Sequence, residues 1–324
     1  MTTVLHLDVE KHRPALRELL DRITADPKLL DPRVFLEQAA ILAAGLPDEI
    51  RATFYGFRRH ESHSALHVTG SPVLTTDPGP TPTGYVEEQD DFRLNDAQLL
   101  HGLYAVLLGE PIGYVSQRKG ACYNTIAPMP ELAAVANSSS GHLHDFGFHI
   151  EDAFHPTRPD YLGLACIRND ERAGTTIADV DGLDQALTAD EIAFLFEKRF
   201  PISHNPIHYT SGVVDEERQP VLFGHPERPY VRVNFAALDW AGLRTVERDV
   251  LLRLQEHFEK TKKTLVLGAG EFVYVNNYTT AHARDAYEAL PPGRSRWLSR
   301  LCVMTDLRKS SHRRDTIESR AILA

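Results

Sequence analysis

The run Phe148-His149-Ile150-Glu151, near the middle of the chain, constrains this sequence more than any other stretch. His149 and Glu151 lie two residues apart, and on a β-strand such residues point to the same face. An imidazole and a carboxylate would then converge, but two ligands cannot close a metal site. The best third candidate is His282, which follows a strand-like apolar run. Two histidines and one carboxylate, with the other positions open, are typical of non-haem Fe(II) oxygenases.

Other histidines offer alternatives to this trio. The chain contains sixteen histidines, so chance His-x-Glu pairs are common, and His149 also fits a hydrogen-bonded residue at a loop edge. His142 and His144 resemble the paired histidines of cupins, although no glutamate follows at the usual cupin distance. His155, which precedes a proline, is expected to cap or hydrogen-bond there. The sequence favours the first trio and keeps the cupin-like pair as the alternative.

Charge and composition limit the partners of the protein. The 324-residue chain has a formal net charge of −10, which argues against a nucleic-acid partner because phosphate contacts need a basic surface. Its three cysteines show no Cys-x-x-Cys spacing and indicate neither a disulfide framework nor a zinc knuckle. There is no basic leader and no apolar run of membrane length. We therefore expect a cytoplasmic protein with a small-molecule partner; the sequence does not set an oligomeric state.

Hydrophobic periodicity predicts helices first and strands later. Apolar residues at helical spacing predict helices over 13–23 and 32–46, and Asn95 is a plausible N-cap for a third helix that runs to about Leu108. After this point short strand-like runs dominate. We predict an α+β fold that is mainly β, in which helices flank a barrel-like core of strands.

The C-terminal half supplies three further elements. Thr188 begins a helix through a capping box, and Asp239 is predicted to cap a long helix. Between them, residues 201–220 form a polar, histidine-rich loop of the length expected of a lid. Trp297 to Met304 is predicted to be the last strand.

Two arginines flank the start of that strand. If it is regular, Arg296, Leu298 and Arg300 share one face. Two cations that point into a barrel are costly to bury unless they meet carboxylates, and the planar guanidinium suits bidentate carboxylate binding. Alternatively, each arginine pairs with a structural aspartate or glutamate. The strand therefore predicts either two ligand-carboxylate positions or two structural ion pairs.

These motifs together resemble a known family. The pair His149-x-Glu151, the distal His282 and the run Arg296-Trp-Leu-Ser-Arg300 are similar to the clavaminate synthase-like (TauD-related) Fe(II)/2-oxoglutarate-dependent oxygenases. The nearest members are the β-hydroxylases of free arginine, lysine and asparagine. The resemblance runs from about residue 114 to 304 and is continuous over 148–170.

The resemblance implies a fold and a domain layout. The family fold is a double-stranded β-helix, or jelly roll. It implies one oxygenase domain over 1–324, with a mainly helical support over 1–110. The jelly-roll core then spans 111–306 and includes the lid loop of about 201–220.

The resemblance also implies roles for individual residues near the metal. His149, Glu151 and His282 match the Fe(II) ligands of the family. Thr176 and Arg296 match the threonine and arginine that bind the distal carboxylate of the co-substrate 2-oxoglutarate. O2 is the third reactant.

Substrate contacts follow from the same resemblance. Arg300 matches the arginine that holds the carboxylate of the amino-acid substrate, and Gln117 falls where the family places a Gln or Glu against the amino group. Glu151 also touches the substrate in this family. Ser140 is carried over as a pocket residue.

One departure from the family bears on the substrate. Relatives that act on arginine carry two carboxylates where this chain has Asn234 and Ala236. A misalignment by one or two residues is the alternative, since Asp239 is nearby. If the alignment holds, a buried cationic side chain would lack its counter-charge. The sequence then favours a polar neutral, cyclic or otherwise modified amino acid over plain arginine or lysine.

The resemblance implies hydroxylation of an unactivated carbon, at C3, of a free amino acid or derivative in natural-product (antibiotic) biosynthesis. Glu151 is retained, whereas related halogenases replace it, so hydroxylation is favoured over halogenation. Alternatives within the family are an arginine or lysine hydroxylase and a desaturase or cyclase. Alternatives outside it are a non-catalytic jelly-roll binding protein and a zinc hydrolase.

Overall fold

The computed structural model describes residues 2–72, 78–136, 138–201, 218–235 and 237–323. Most of the α-helices in these residues lie in the N-terminal third. They are α1 (Arg13–Thr24), α2 (Pro32–Leu42), α3 (Asp48–His60), α4 (Asp96–Leu108), α5 (Ala189–Leu195) and α6 (Thr245–Thr261).

Two helices begin at the capping residues that the sequence predicts. Asn95 Oδ1 accepts a hydrogen bond from Gln98 N, and Gln98 Oε1 accepts one from Asn95 N, so a complete capping box starts α4. Thr188 and Glu191 form the same arrangement at α5. Helix α4 is buried on almost every side, which matches its apolar sequence.

Helix α6 begins later than predicted. The sequence predicts a start at Asp239, but the helix starts at Thr245. Asp239 Oδ1 accepts hydrogen bonds from the amides two and three residues ahead and closes a turn. The prediction is wrong because a turn and an N-cap use the same side-chain oxygen in the same way.

Fourteen strands form three sheets in the described residues. They are β1 (Val4–Asp8), β2 (Ala65–Thr69), β3 (Glu110–Tyr114), β4 (Tyr123–Ile126), β5 (Phe146–His149), β6 (Tyr161–Arg168), β7 (Thr175–Asp179), β8 (Leu222–His225), β9 (Arg228–Val231), β10 (Lys263–Leu265), β11 (Phe272–Asn276), β12 (Thr280–Arg284), β13 (Trp297–Met304) and β14 (Ala321–Ile322). The large sheet has the order β1-β2-β11-β6-β13-β3-β14, with β4 also paired to β13. The small sheet has the order β10-β7-β12-β5, and β8 pairs with β9.

The large sheet separates two apolar cores. Along β11, Phe272 and Tyr274 pack against helices α1 to α4, whereas Val273 faces the opposite way. Val273 shares its core with Leu164 of β6 and with Ile177 of the small sheet. This alternation is the period of two expected of a strand buried on both faces. The two larger sheets therefore pack against each other on the side away from the helices.

The structure confirms the α+β class and corrects three details. The described α-helices hold at least as many residues as the strands, so the fold is not mainly β. Strands β1 and β2 come from the part predicted as helical support, and they extend the large sheet. Strand β14 follows the strand predicted to be the last, and its Ile322 is fully buried. Residues 202–217, most of the loop predicted as a lid, lie outside the described residues.

None of the described helices combines the length and the apolar composition needed to cross a bilayer.

Candidate metal centre and its pocket

The three predicted metal ligands lie together at the end of the small sheet. His149 is the last residue of β5, and His282 of β12 lies directly opposite it in the antiparallel pair. Glu151 lies in the turn that follows β5, so a strand end and a turn produce the convergence rather than one regular strand. One ligand atom from each residue lies within 4.8 Å of the other two. All three side chains are buried.

Hydrogen bonding and burial prepare His149 for a metal. Its Nδ1 lies 2.9 Å from Gly147 O. Because a carbonyl oxygen only accepts, Nδ1 carries the proton and Nε2 keeps its lone pair. Burial lowers the pKa of His149 to about 3, and the neighbouring His282 adds to the effect. The neutral imidazole is the form that binds metal.

A second metal-capable group shares Glu151 with the first. It combines Glu151, Asp152 and Cys302. Burial raises the pKa of the Cys302 thiol well above its usual range, so the thiolate that a metal requires is disfavoured. Neither group contains His142 or His144, the cupin-like pair. The arrangement therefore favours the His149, Glu151 and His282 trio.

Arg300 connects the metal ligands to a polar network. Its Nη1 donates to Glu151 Oε1 at 2.5 Å, and its Nη2 donates to Gln117 Oε1 at 2.9 Å and to Asn124 Oδ1 at 2.6 Å. Gln117 Nε2 donates in turn to Asp152 Oδ1 at 3.1 Å. The orientation of the Gln117 amide is thus determined at both ends, with its oxygen toward Arg300.

The pair Arg300 and Glu151 is ionised. Burial alone would raise the pKa of Glu151, but the charge of Arg300, together with a hydrogen bond from His282, holds it well below its usual range. Burial would likewise lower the pKa of Arg300, and the Glu151 carboxylate outweighs this and raises it. His282 Nε2 lies 3.4 Å from the other oxygen of Glu151.

Arg296 lines the same pocket as Arg300. Its Nη2 lies 3.4 Å from Thr175 Oγ1. Thr176, which was predicted at this place, hydrogen-bonds instead to Thr264, with 2.8 Å between the two Oγ1 atoms. Successive residues of β7 point to opposite faces, so only one of the two threonines reaches the pocket. Thr175, one residue before the predicted Thr176, is therefore the threonine that lies beside Arg296 and lines the pocket.

The buried Arg296 lacks a full set of acceptors. Burial lowers the pKa of its guanidinium, and Tyr287 partly offsets this. Its Nε has no hydrogen-bond partner among the described residues. A guanidinium carries only donors, and buried donors are nearly always paired. This end of the pocket is therefore suited to a ligand carboxylate.

These groups surround one pocket of about 500 Å³, a size typical of small-molecule sites. Asn234 lines it, as predicted. Ser138 and Ser139 also line it, whereas the predicted Ser140 is buried, with its amide bonded to Ser138 Oγ. Within this run, Ser138 and Ser139 rather than the predicted Ser140 therefore reach the pocket lining. Ala236 lies outside the described residues.

No sequence pattern identified several of the residues that lie around the pocket. Asn124 and Asp152 complete the network around Arg300, and only their position on neighbouring segments connects them to it. Arg118 lies over the ring of Tyr85, with 3.0 Å from its Cζ to the ring centroid, and its Nε is 3.3 Å from Glu87 Oε1. Tyr85 and Glu87 come from a stretch that composition indicates to be a surface loop, so no sequence pattern pointed to them.

The family follows from comparison with known proteins. Residues 90–302, more than half of the chain, match the model of the taurine catabolism dioxygenase TauD, TfdA family. The chain belongs to this family. The predicted family, the enzyme class of Fe(II)/2-oxoglutarate-dependent oxygenase and the need for Fe(II) and 2-oxoglutarate are confirmed.

Two similar proteins are enzymes of streptomycetes. The chain is 27% identical to enduracididine beta-hydroxylase of Streptomyces hygroscopicus over an alignment of 332 positions, gaps included. The alignment covers 95% of this chain and 96% of the relative. It is 33% identical over 267 residues to L-asparagine oxygenase of Streptomyces coelicolor, which covers 82% of this chain and 78% of the relative.

Two solved structures share the fold over almost the whole chain. Asparagine oxygenase in complex with Fe(II), 2S,3S-3-hydroxyasparagine and succinate superposes with a TM-score of 0.89 at 27% identity, over 99% of both chains. The non-heme iron oxygenase OrfP in complex with Fe and alpha-ketoglutaric acid superposes with a TM-score of 0.84 at 27% identity, also over 99% of both chains. The trio of His149, Glu151 and His282 fits an iron ion. The unpaired Nε of Arg296 fits a carboxylate of 2-oxoglutarate.

Proposed function

We propose that the enzyme hydroxylates C3 of a free α-amino acid, with Fe(II), 2-oxoglutarate and O2, in natural-product biosynthesis. The observation that carries the proposal is the hydrogen-bonded row of Glu151, Arg300 and Gln117 beside the metal ligands. It presents a carboxylate, a guanidinium and an amide within one buried site. An α-amino acid offers the complementary carboxylate and ammonium on a single carbon.

Arg300 would hold the α-carboxylate of the substrate. The guanidinium now donates to Glu151 and Gln117, and a substrate carboxylate supplies acceptor oxygens of the same kind. The α-ammonium would then face the oxygens of Glu151 and Gln117. With the head group bound there, C3 is the carbon next to the anchored one and lies toward the metal ligands.

Arg296 and Thr175 would hold the distal carboxylate of 2-oxoglutarate. The unpaired Nε of Arg296, its burial and the adjacent hydroxyl of Thr175 support this role. The apolar side chains of Leu164 and Leu298 line the same pocket and exclude water.

Iron held by His149, Glu151 and His282 would supply the activation of O2 that couples the two substrates. In the overall reaction, a C–H bond, O2 and 2-oxoglutarate become a C–OH group, succinate and CO2. The chain contributes binding, orientation and a dry pocket. We also infer that the two facing sheets form the double-stranded β-helix of a single oxygenase domain, because the pocket lies between them.

The decisive experiment supplies anaerobically purified protein with Fe(II), 2-oxoglutarate, O2 and a panel of free amino acids. We expect succinate formation that depends on one amino acid, and a product that is one oxygen atom heavier by mass spectrometry. A substrate fully deuterated at C3 should lose one deuterium. Succinate formation that no amino acid stimulates would contradict the proposal.

The variant Arg300→Ala tests the head-group site. We expect the KM for the amino acid to rise about a hundredfold, since a buried ionic hydrogen bond is lost. At amino-acid concentrations below this raised KM, decarboxylation of 2-oxoglutarate should persist with little product, because the metal ligands and Arg296 are intact. Arg59→Ala, at an exposed position in α3, is the matched control. An unchanged KM in Arg300→Ala would place the substrate carboxylate elsewhere.

A further inference from the structure

The geometry points to a substrate whose side chain ends in a carboxamide or a carboxylate, recognised by the amide of Asn234 and the guanidinium of Arg118. This inference rests on the proposed function and deepens it, because it names the class of amino acid. Both groups line the pocket that contains the metal ligands.

Asn234 is held beside the metal centre by backbone pairing. It forms an antiparallel bridge with His149. The amides of Ile150 and Phe235 donate the backbone hydrogen bonds that flank this bridge, at 2.9 and 3.0 Å. His149 and Asn234 are therefore a non-hydrogen-bonded pair, the arrangement in which opposed side chains approach most closely and share one face. The side chain of Asn234 lies next to the metal ligand, where the carbons beyond C3 would pass.

The orientation of the Asn234 amide determines what it can bind. Its Oδ1 accepts a hydrogen bond from Ala237 N at 3.1 Å. A backbone amide is only a donor, so a flipped side chain would oppose two donors. No described residue accepts from Nδ2, and the residue is half-buried at the pocket wall. Asn234 thus offers N–H donors to a substrate, and their complement is an acceptor.

Arg118 provides a second donor group among the residues that line the pocket. Its guanidinium lies 3.0 Å from the ring centroid of Tyr85, and Glu87 flanks its Nε. Its backbone has φ 48, a left-handed conformation that is costly for a residue with a side chain. Such conformations persist where the surrounding structure imposes them, commonly at binding sites. The turn and the two side-chain contacts hold the guanidinium in place.

The two carboxylates that line the described part of the pocket already take part in hydrogen bonds. The lining carboxylates there are Glu151 and Asp152. Glu151 is paired with Arg300 at the metal end, and Asp152 accepts from Gln117. An ammonium or guanidinium placed against Asn234 and Arg118 would meet donors and a like charge, which is unfavourable in a buried site. A carbonyl or carboxylate oxygen would meet two sets of donors.

The test compares binding and turnover in protein loaded anaerobically with Fe(II) and 2-oxoglutarate. Calorimetry measures binding of asparagine, glutamine, aspartate, glutamate, ornithine, lysine and arginine, and mass spectrometry measures product after O2 is added. We expect at least one of the four amides and acids to bind tenfold or more tightly than ornithine, lysine or arginine. A lost or opposed buried hydrogen bond implies a difference of this size. Comparison of each amide with its acid distinguishes a carboxamide from a carboxylate.

Two substitutions of Asn234 separate its donor role from a merely structural one. Asn234→Asp keeps an acceptor for Ala237 N but replaces the donor with a negative charge. We expect binding of the best acceptor substrate to weaken about tenfold to a hundredfold and binding of ornithine or lysine to strengthen about tenfold. Asn234→Ala should weaken binding of the acceptor substrate without strengthening binding of ornithine or lysine. Asn95→Asp, the same chemical change at the N-cap of α4, should alter neither.

The outcomes distinguish this inference from the proposed function. Acceptor amino acids that bind tightly without being hydroxylated would support the inference and contradict the proposed function. A cationic amino acid that binds most tightly and is hydroxylated would overturn the inference and support the function. An unchanged preference in Asn234→Asp would also overturn the inference. Failure of all seven amino acids to bind would contradict both.

Discussion

The two ends of the pocket are built differently. At the metal end, His282 and Arg300 lie on strands that are paired on both sides, and His149 ends the edge strand β5 opposite His282. The residues proposed to contact the substrate side chain, here called the outer end, are Arg118, in a short left-handed turn, and Asn234, in an isolated bridge to the metal ligand His149. Strand residues at the metal end have positions set by the sheets, whereas the outer residues depend on local hydrogen bonds.

This difference separates chemistry from specificity. A reaction that activates O2 needs ligands and carboxylate anchors at constant separations, and paired strands supply them. Discrimination between side chains requires positions that can change without disturbing the sheets, and turns allow this. Substitutions at the metal end should therefore affect turnover with every substrate, whereas substitutions at the outer end should change which substrate is used.

The largest effect is expected from His282→Ala. Loss of one of three ligands should reduce bound iron to a small fraction and lower succinate formation about a thousandfold or more with every amino acid. Bound iron is measured by elemental analysis and succinate by mass spectrometry. His60→Ala, at the exposed end of α3, is the control. Normal iron content in His282→Ala would move the metal centre away from the two strands.

Arg296→Gln should affect the co-substrate. We expect the KM for 2-oxoglutarate to rise about a hundredfold, because a buried ion pair with its distal carboxylate is lost. The order of preference among amino acids should stay the same. Initial rates at varied 2-oxoglutarate measure the change, and Arg294→Gln, an exposed neighbour, is the control. A change in amino-acid preference instead would show that the metal end also determines which substrate is used.

The large sheet behind the pocket should show acid sensitivity through His101. This residue is fully buried, its Nδ1 is 2.8 Å from Tyr274 Oη, and burial lowers its pKa to about 3. The unfolded chain binds the proton near pH 6.5, so the stabilisation from the neutral ring is complete above that pH and declines as pH falls toward 3. We expect His101 to account for about 1.5 kcal/mol of stability lost between pH 6.5 and 5.

Urea unfolding of the wild type and of His101→Gln at several pH values measures this contribution. The variant should show the shallower decline, whatever its stability at neutral pH. Parallel pH profiles would show that another group is responsible.

The smallest effect distinguishes two adjacent threonines. Thr175→Val should raise the KM for 2-oxoglutarate several-fold, as expected for the loss of one hydrogen bond to a charged group. Thr176→Val, whose hydroxyl bonds to Thr264, should leave this KM unchanged. The two variants remove the same atom from neighbouring positions, so the pair controls for the chemistry of the change. An effect confined to Thr176→Val would restore the original sequence prediction.

The sequence predicts the metal end better than the outer end for a physical reason. His149-x-Glu151, His282 and the run from Arg296 to Arg300 are close to period-two patterns, and such patterns imply a face whenever the strand exists. The choice between Thr175 and Thr176 shows the limit, because period two gives two faces and does not say which one meets the pocket.

The outer end leaves no such pattern. The contact of Arg118 with Tyr85 joins residues from a turn and a distant loop. The serines that line the pocket, Ser138 and Ser139, lie in a turn whose local geometry includes a hydrogen bond from Ser140 N to Ser138 Oγ. The helix start at Thr245 instead of Asp239 has the same origin, since a single side-chain oxygen served a turn. Local hydrogen bonds of this kind compete at similar free energies, and sequence spacing does not rank them.

Strand β13 carries one further consequence. Arg296 and Arg300 stand four residues apart on one extended segment, so their α-carbons can be separated by at most about 14 Å. The strand thereby limits the distance between the arginine proposed to bind the co-substrate and the arginine proposed to bind the amino acid. Inserting or deleting one residue between them would turn one arginine away from the pocket, because neighbouring side chains alternate. The number of residues between the two arginines is therefore fixed, whichever amino acid the enzyme uses as its substrate.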